Sequence, residues 1–323
     1  MLQLNELVLL HYCLSATHTN NDLGITVGFL AEYIMRGRLQ AILVAAVLAI
    51  VSLAMPPISI VSSASVALVT LRRGAREGLF VLVCSTTVTG VLGYFLLNSF
   101  QFGLLYGAVL WAPIWLISIV LREGRYLSLT VEIAVLIGVL GVAGFYLFIE
   151  DPAALWQSFL PQMIPANAHT DDIQPILDLL PRYMTGIIAA ASVFGLLFGL
   201  FLGRWWQALL YNPGGFRQEF LSLTTHPRLA IGTLVVVFIA LLSPSMISEV
   251  SWNIAILLFV LYSFTGTAVL HTAFASMKMG RYIVPMFYVT MFLIPHALLP
   301  VALVGLGDTW MNLRNKISNQ QTP

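Results

Sequence analysis

Charge is what this chain has least of: 9% of its 323 residues are Asp, Glu, Lys or Arg, against 59% hydrophobic residues. A soluble domain carries about 25% charged residues, so an ordinary water-facing globule is excluded. Cysteine is almost absent. Cys13 lies in the amino-terminal stretch and Cys84 inside an apolar run, so no disulfide framework is available and both read as small hydrophobes. Alternation of apolar and polar residues over strand-length segments is missing, which argues against a membrane barrel. No internal repeat, low-complexity tract or separate soluble domain is visible. His-Glu-x-x-His, Gly-x-Ser-x-Gly and Gly-x-x-x-x-Gly-Lys-Ser/Thr are all lacking, so the chain shows no machinery of a zinc protease, a serine hydrolase or a nucleotide hydrolase. No catalytic residue, cofactor, metal or nucleic-acid partner is expected.

What is present is long apolar sequence, with a mean hydropathy of +0.90. The apolar runs are approximately Leu39 to Met55, Ile58 to Leu71, Gly78 to Leu97, Phe102 to Leu121, Leu127 to Ile149, Tyr183 to Leu202, Leu229 to Leu242, Trp252 to Ala275 and Ile283 to Leu306. A hydrocarbon core of about 30 Å needs about 20 such residues in a helix. The expected fold is therefore all-α, a polytopic transmembrane helical bundle of about eight or nine spans, occupying residues 35–316 and followed by a tail over 317–323.

The few charges alternate from loop to loop. Arg36 and Arg38; Arg72, Arg73 and Arg76; Arg122 and Arg125; Arg204, Arg217 and Arg228; Lys278 and Arg281; and Arg314 and Lys316 occupy one set. The other set holds Glu150, Asp151, Asp171, Asp172, Asp178 and Glu249, with Arg182 its one basic residue. The excess of Lys and Arg marks the first set as cytoplasmic, so the loop from Glu150 to Arg182 faces outward. This pattern predicts a multi-pass membrane protein with a cytoplasmic amino terminus and the lipid bilayer as its first partner.

Residues 1–34 are mixed in polarity and read as a poorly structured extension, with Met35 before Arg-Gly-Arg as an alternative translational start. Pro56-Pro57 predicts a tight turn, because proline cannot continue a helix. The second segment carries Ser59, Ser62, Ser63 and Ser65, so it is expected to lie against protein, where its hydroxyls find partners. In the outward loop, Ala153 to Ile164 reads either as an interfacial helix with Trp156, Phe159 and Met163 on one face or as an ordinary packed loop helix. Nine complete crossings from a cytoplasmic start would leave Arg314 and Lys316 outside. Eight crossings plus a re-entrant hairpin broken around Pro295 and Pro300 would return them inside; a single kinked span is the alternative.

Ionisable groups inside a membrane are costly and mark sites. Glu132, about two turns into its segment, is a candidate acceptor for a cation or proton, or a local partner of Arg125 or Arg122. Ser263, Thr267 and His271 stand at i, i+4 and i+8, one polar stripe that lines a cavity or bonds a neighbouring helix; His296, between prolines, could join it. Tyr94, Tyr106 and Trp111 could wall an apolar pocket or simply pack. Gly305-Leu-Gly-Asp308 matches the Gly-x-Gly-Asp of intramembrane aspartyl proteases, but no second aspartate lies in a span to share the water. Gly195, Gly199 and Gly203, like Ala41, Ala45 and Ala49, repeat every four residues and form small faces for a close helix contact, within the chain or with a partner.

Several of these stretches bear a family resemblance: Ala41-Ile-Leu-Val-Ala45-Ala46-Val-Leu-Ala49, the Pro56-Pro57 turn, Val66-Ala-Leu-Val-Thr-Leu-Arg-Arg-Gly-Ala-Arg-Glu-Gly78, and Gly305-Leu-Gly-Asp-Thr-Trp310 followed by Arg314. Over roughly Met35 to Lys316 the chain resembles the YybS-like family of bacterial membrane proteins, which is in turn similar to the S components of energy-coupling-factor transporters. The resemblance implies an S-component-like core that binds or moves an unknown small molecule. It also implies a transmembrane partner subunit docked on Ala41, Ala45 and Ala49. S components usually have six spans, and about three more are expected here.

Overall fold

The computed structural model describes residues 28–163, 170–276, 280–314 and 316. Residues 1–27 of the extension expected over 1–34, Cys13 among them, together with Ile164, Lys278 and the tail over 317–323, lie outside the described residues. The described residues are helical without a strand, as a backbone without water to bond must be. They form two compact units, one made of the chain up to Arg122 with Phe198–Phe216, the other of Glu123–Leu197 with the chain from Arg217 onward.

The first unit holds α1 (28–36), α2 (Arg38–Val51), α3 (Ile58–Arg73), α4 (Ala75–Leu97), α5 (Gln101–Tyr106), a π turn (Gly107–Trp111) and α6 (Ala112–Gly124) up to Arg122. α1 crosses the expected boundary at residue 34, and Ala31 and Ile34 are fully buried. It stops at Gly37, which is extended at φ −172°. Across that break Arg38 grips Glu77 in a fork, at 2.8 Å and 2.5 Å, fixing the start of α2 beside the start of α4. Pro57 sits directly before α3, as the turn predicts.

α3 is the centre of this unit. Every residue from Ser62 to Leu71 is buried, the outcome expected of its serines. Ser62 donates to the Ala45 carbonyl of α2 at 2.8 Å and accepts from Trp111 Nε1 at 3.3 Å. A hydroxyl reaches a neighbouring helix's carbonyl only where the helices nearly touch, which Ala41, Ala45 and Ala49, all fully buried, allow. The Leu71 carbonyl near the end of α3 is taken by Arg122 at 2.6 Å.

The second unit holds α7 (Leu127–Phe148), α8 (Pro152–Phe159), α9 (Thr170–Leu179), α11 (Gly215–Leu221, from Arg217), α12 (Pro227–Leu242), α13 (Ser245–Ser276), α14 (Gly280–Leu293) and α15 (Leu298–Met311). The long α10 (Pro181–Tyr211) gives its first half to this unit and its second half to the other. α7 lies antiparallel to α13: Tyr146 meets Glu249 and Asn253 at one end, and Leu257 closes on Gly138 further along. α12 is antiparallel as well, with Ser248 bonded to the Ala240 carbonyl and Thr233 to Tyr262. α15 crosses α13 at Gly266 and Gly305, where a Cβ on either glycine would strike the other helix's backbone.

Among the described residues, five helices, α4, α5–α6, α7, α10 and α13, are long and apolar enough to cross a membrane, and the bent pair α14–α15 makes six if it counts as one span. That is the build of a multi-pass membrane protein. The other expected spans are shorter: α2, α3 and α12 have 14, 16 and 16 residues, about 21–24 Å of helix. Buried α3 need not traverse lipid at all.

The last apolar segment breaks at Ile294, where α14 and α15 diverge by 120° around a 3₁₀ turn at Pro295–Ala297. Pro295 makes this break. Pro300 does not, because it falls in the first turn of α15, where its missing N–H has no helical partner to lose. After α15 the chain turns at Asn312 with φ 47°. Arg314 then pairs with Asp308 at 3.3 Å and donates to the Leu221 carbonyl at 2.6 Å and to that of Leu223. The end of α15 is thereby tied to the α11–α12 connection.

Candidate functional site

The residues expected to share one site do not. Ser263 donates to the Phe259 carbonyl at 2.8 Å and Thr267 to that of Ser263 at 2.7 Å, so both hydroxyls bond back onto α13. His271 Nε2 meets the Tyr288 hydroxyl at 2.8 Å, with Phe220, Phe274 and Phe287 around the ring. The stripe is thus interhelical packing in which His271 ties α13 to α14 and α11. His296 is exposed in the 3₁₀ turn and joins none of these groups.

The small faces also divide. A Cβ on Gly199 would come within 2.8 Å of Ile114 and 3.2 Å of Ser63, and one on Gly203 within 2.8 Å of Ala67. These two glycines are therefore the seat of α3. Gly195 has open space around it. Ala41, Ala45 and Ala49 are covered within the unit, so their face is not open to a partner subunit. The exposed side of α2 is Leu39, Leu43, Val47 and Val51. Tyr106 and Trp111 pack edge to face at 4.9 Å and are buried, whereas Tyr94 is 56% exposed and stands apart from them. Asp308 spends its carboxylate on the Leu313 N–H and Arg314, which gives the Gly-x-Gly-Asp stretch a helix-ending role.

Glu132 is placed differently. It faces a cleft of about 470 Å³ with Arg125, Ser128, Glu219, Ser222, Thr225 and His226 among its walls. α7 supplies Glu132 and Ser128; the connection from α11 to α12 supplies the rest. Thr224 N–H donates to Ser128 Oγ at 3.0 Å, and His226 N–H to Glu132 Oε1 at 3.0 Å. His226 is the N-cap of α12, its Nδ1 accepting from the Arg228 N–H at 3.2 Å, with Pro227 at the first helical position. That bond assigns the proton of a neutral ring to Nε2. The local pair of Glu132 with Arg125 or Arg122 is not what forms. The carboxylate instead meets a helix start, where negative charge is favoured.

A second polar cleft, of about 460 Å³, opens at the opposite end of α7 and α13 between Glu150, Asp151, Arg182, Tyr183, Glu249 and Trp252. Bonded to its lining residues Tyr146, Arg182 and Glu249 is Asn253, fully buried, which sequence reading passed over. Asn253 Nδ2 reaches the Arg182 carbonyl at 2.7 Å, the Glu249 carbonyl at 2.8 Å and Tyr146 Oη at 3.1 Å, while Oδ1 accepts from the Gly186 N–H at 2.5 Å. Tyr146 in turn donates to Glu249 at 2.7 Å. Gly186 is required here, since a Cβ would lie 2.7 Å from the Asn253 backbone. The readable signal was a lone Asn one turn after a carboxylate in an otherwise apolar run. Beside this hub Trp156 donates to Thr185 at 2.8 Å and stacks on Phe145, so α8 is a packed helix at that residue, although Phe159 is 46% exposed.

The chain matches no protein-family model, no curated protein and no solved structure.

Proposed function

We propose that this is a multi-pass membrane protein that binds a small solute in the Glu132 cleft, as part of a transport process in a bacterial inner membrane. The observation that carries the reading is a carboxylate facing a 470 Å³ cleft whose other walls include Arg125, Glu219, His226 and the hydroxyl residues Ser128, Ser222 and Thr225. A pocket of a few hundred cubic ångströms with a few convergent polar groups is the usual form of a small-molecule site. By the positive-inside rule the cleft belongs to the cytoplasmic end of the second unit, since the loops that supply it carry Arg125, Arg217 and Arg228. Kinship with the YybS-like family and with S components belongs to the same proposal. A partner subunit, if one supplies energy, docks elsewhere than on the buried Ala41, Ala45 and Ala49.

A second reading, a membrane scaffold or assembly factor, is favoured by one observation: the α13 stripe is spent within the chain, on its own carbonyls and on Tyr288. Mass spectrometry of protein purified from native membranes separates the two. A small molecule that copurifies with the wild type and with Ser263→Ala, and is lost from Glu132→Gln, supports the solute site. Glu132→Gln keeps the acceptor for His226 N–H, so the cleft itself should persist. Equal retention in Glu132→Gln, or none in the wild type, shifts the assignment to the scaffold.

A further inference from the structure

The first unit carries its charge at one end. No charged residue lies between Arg38 and Arg72 or between Glu77 and Arg122, so the ionised groups gather where the α1–α2 break meets the α3–α4 corner. Three contacts draw that corner together. Arg38 forks onto Glu77, Arg73 Nη2 donates to the Met35 carbonyl at 2.5 Å, and the Arg72 guanidinium lies over the Tyr211 ring at 4.0 Å. Arg36, Arg38, Arg72, Arg73 and Arg76 are thereby gathered there, and all five are exposed.

The acidic groups beside them are Glu77, held by the Arg38 fork, and Glu32, exposed one turn before Arg36 on α1. Five guanidiniums against two carboxylates leave a threefold positive excess, with Arg122 and Arg204 left out because both are engaged elsewhere. Among the described residues Arg36 and Arg76 have no hydrogen bond or ion pair; Arg36 stands 5.9 Å from the Tyr33 ring. Arg73 gives the Met35 carbonyl only part of a fork of five N–H donors. Such forks match the oxygens of a phosphate.

Surface of the opposite kind adjoins the arginines. Leu39, Leu79 and Phe80 are exposed, and the Arg38 guanidinium sits 4.9 Å above the Phe80 ring. Leu30 of α1 and Leu43, Val44, Val47 and Leu48 of α2, all apolar, wall an open groove of about 230 Å³. α1 joins the two features, because Arg36 ends it and Leu30 lies six residues earlier. A soluble anion or an acidic protein would use the guanidiniums and leave the groove empty. A phospholipid uses both, and four to eight basic residues directly cytoplasmic of a membrane helix are the usual form of an anionic-lipid site.

We propose that this corner of the first unit binds an anionic phospholipid of the cytoplasmic leaflet, its phosphate held by Arg36, Arg73 and Arg76 and an acyl chain laid in the α1–α2 groove. The site does not depend on the Glu132 cleft.

The test equilibrates the full-length protein in nonionic-detergent micelles containing equal amounts of dioleoylphosphatidylglycerol and dioleoylphosphatidylcholine, then counts the retained lipids by mass spectrometry. The two share their chains and differ in net charge. Phosphatidylglycerol should be retained about tenfold or more over phosphatidylcholine. Arg36→Gln combined with Arg76→Gln removes two guanidiniums without breaking a bond of the fold, so the melt should persist while the preference falls severalfold. Arg36→Lys with Arg76→Lys keeps the charge and should keep most of the preference, and Arg182→Gln in the second unit should leave it unchanged. Val47→Trp fills the groove and should lower phosphatidylglycerol retention severalfold. Glycerol phosphate, which has no chains, should not displace the lipid even in large molar excess. Equal retention of the two lipids, or a preference that survives the double Gln variant, overturns the site. Displacement by glycerol phosphate makes it a soluble-anion site and overturns the lipid, and undiminished retention in Val47→Trp overturns the groove as the seat of the chain.

Discussion

At the scale of the residue, the strongest demand in the second unit is made by Asn253. It accepts from the Gly186 N–H and shares its two amide hydrogens among two backbone carbonyls and the Tyr146 hydroxyl at zero exposure. Interhelical hydrogen bonds in membranes average only about 0.6 kcal/mol, because the unfolded chain in lipid finds other partners. Stranding a buried polar group is more costly, about 1–3 kcal/mol. Asn253→Leu fills the same volume and strands the Gly186 N–H, so the second effect should win. Thermal unfolding in detergent should show a loss of about 2 kcal/mol or more, with a much smaller loss for Ser263→Ala, whose hydroxyl bonds only its own helix. The contrast explains why the stripe at Ser263, Thr267 and His271 was legible as a pattern and misleading as a site. Spacing shows which residues share a face, but not whether a hydroxyl has turned back to its i−4 carbonyl. Asn253 was the reverse case, a single residue whose partners lie as far as 107 positions away in the chain.

Between helices, the decisive quantity is the clearance at each glycine. Gly266 and Gly305 face each other across the α13–α15 crossing with the backbone of the opposite helix in the place of a Cβ. Backbone cannot rotate away as a side chain can. Gly266→Ala or Gly305→Ala should therefore push α15 off α13, lowering stability by roughly 1–3 kcal/mol and exposing the α15 segment to protease before the rest of the unit. Gly195→Ala has empty space around it and should be neutral or stabilising by up to about 1 kcal/mol through helix propensity. Equal effects at Gly195 and Gly266 would contradict the crossing. Ala45 belongs to the same class as the crossing glycines. Leucine there must displace α3, which accepts no detour because ten consecutive residues of it are buried. Ala45→Leu should thus unfold the first unit, visible as aggregation and loss of the cooperative melt, whereas Leu43→Ala on the exposed side of the same helix should leave the melt within about 0.5 kcal/mol. Gly199, Gly203 and the α2 alanines do sit at close helix contacts while Gly195 does not; spacing could not say what covers such a face, since any close helix contact, internal or with a partner, needs the same residues.

For the whole molecule, the apolar runs, the Pro56-Pro57 turn, the protein-facing second segment and the break at Pro295 were all readable, because each follows from local composition or a proline's missing N–H. The number of full crossings was not. Whether a 14- to 16-residue apolar helix traverses lipid or packs inside protein depends on its neighbours, as buried α3 shows. The same uncertainty governed the end of the chain, and there the structure supplies a constraint. Arg314 is bonded to the Leu221 and Leu223 carbonyls and to Asp308; burial among these groups lowers its pKa while Asp308 opposes the shift. A guanidinium stays protonated throughout the ordinary pH range, so its bonds to the two carbonyls should hold there. The consequence is topological. Residue 316 must lie on the side of the membrane that carries the α11–α12 connection, and the bent α14–α15 pair must enter and leave from that side. Single cysteines at exposed Gln218, Lys316 and Glu150, introduced after replacing Cys13 and Cys84, report this directly in sealed vesicles with an impermeant maleimide. Positions 218 and 316 should label from one side and position 150, beyond the full length of α7, from the other. Labelling of 316 together with 150 would make α14–α15 a true crossing and would require the Arg314 anchor to be broken in the membrane.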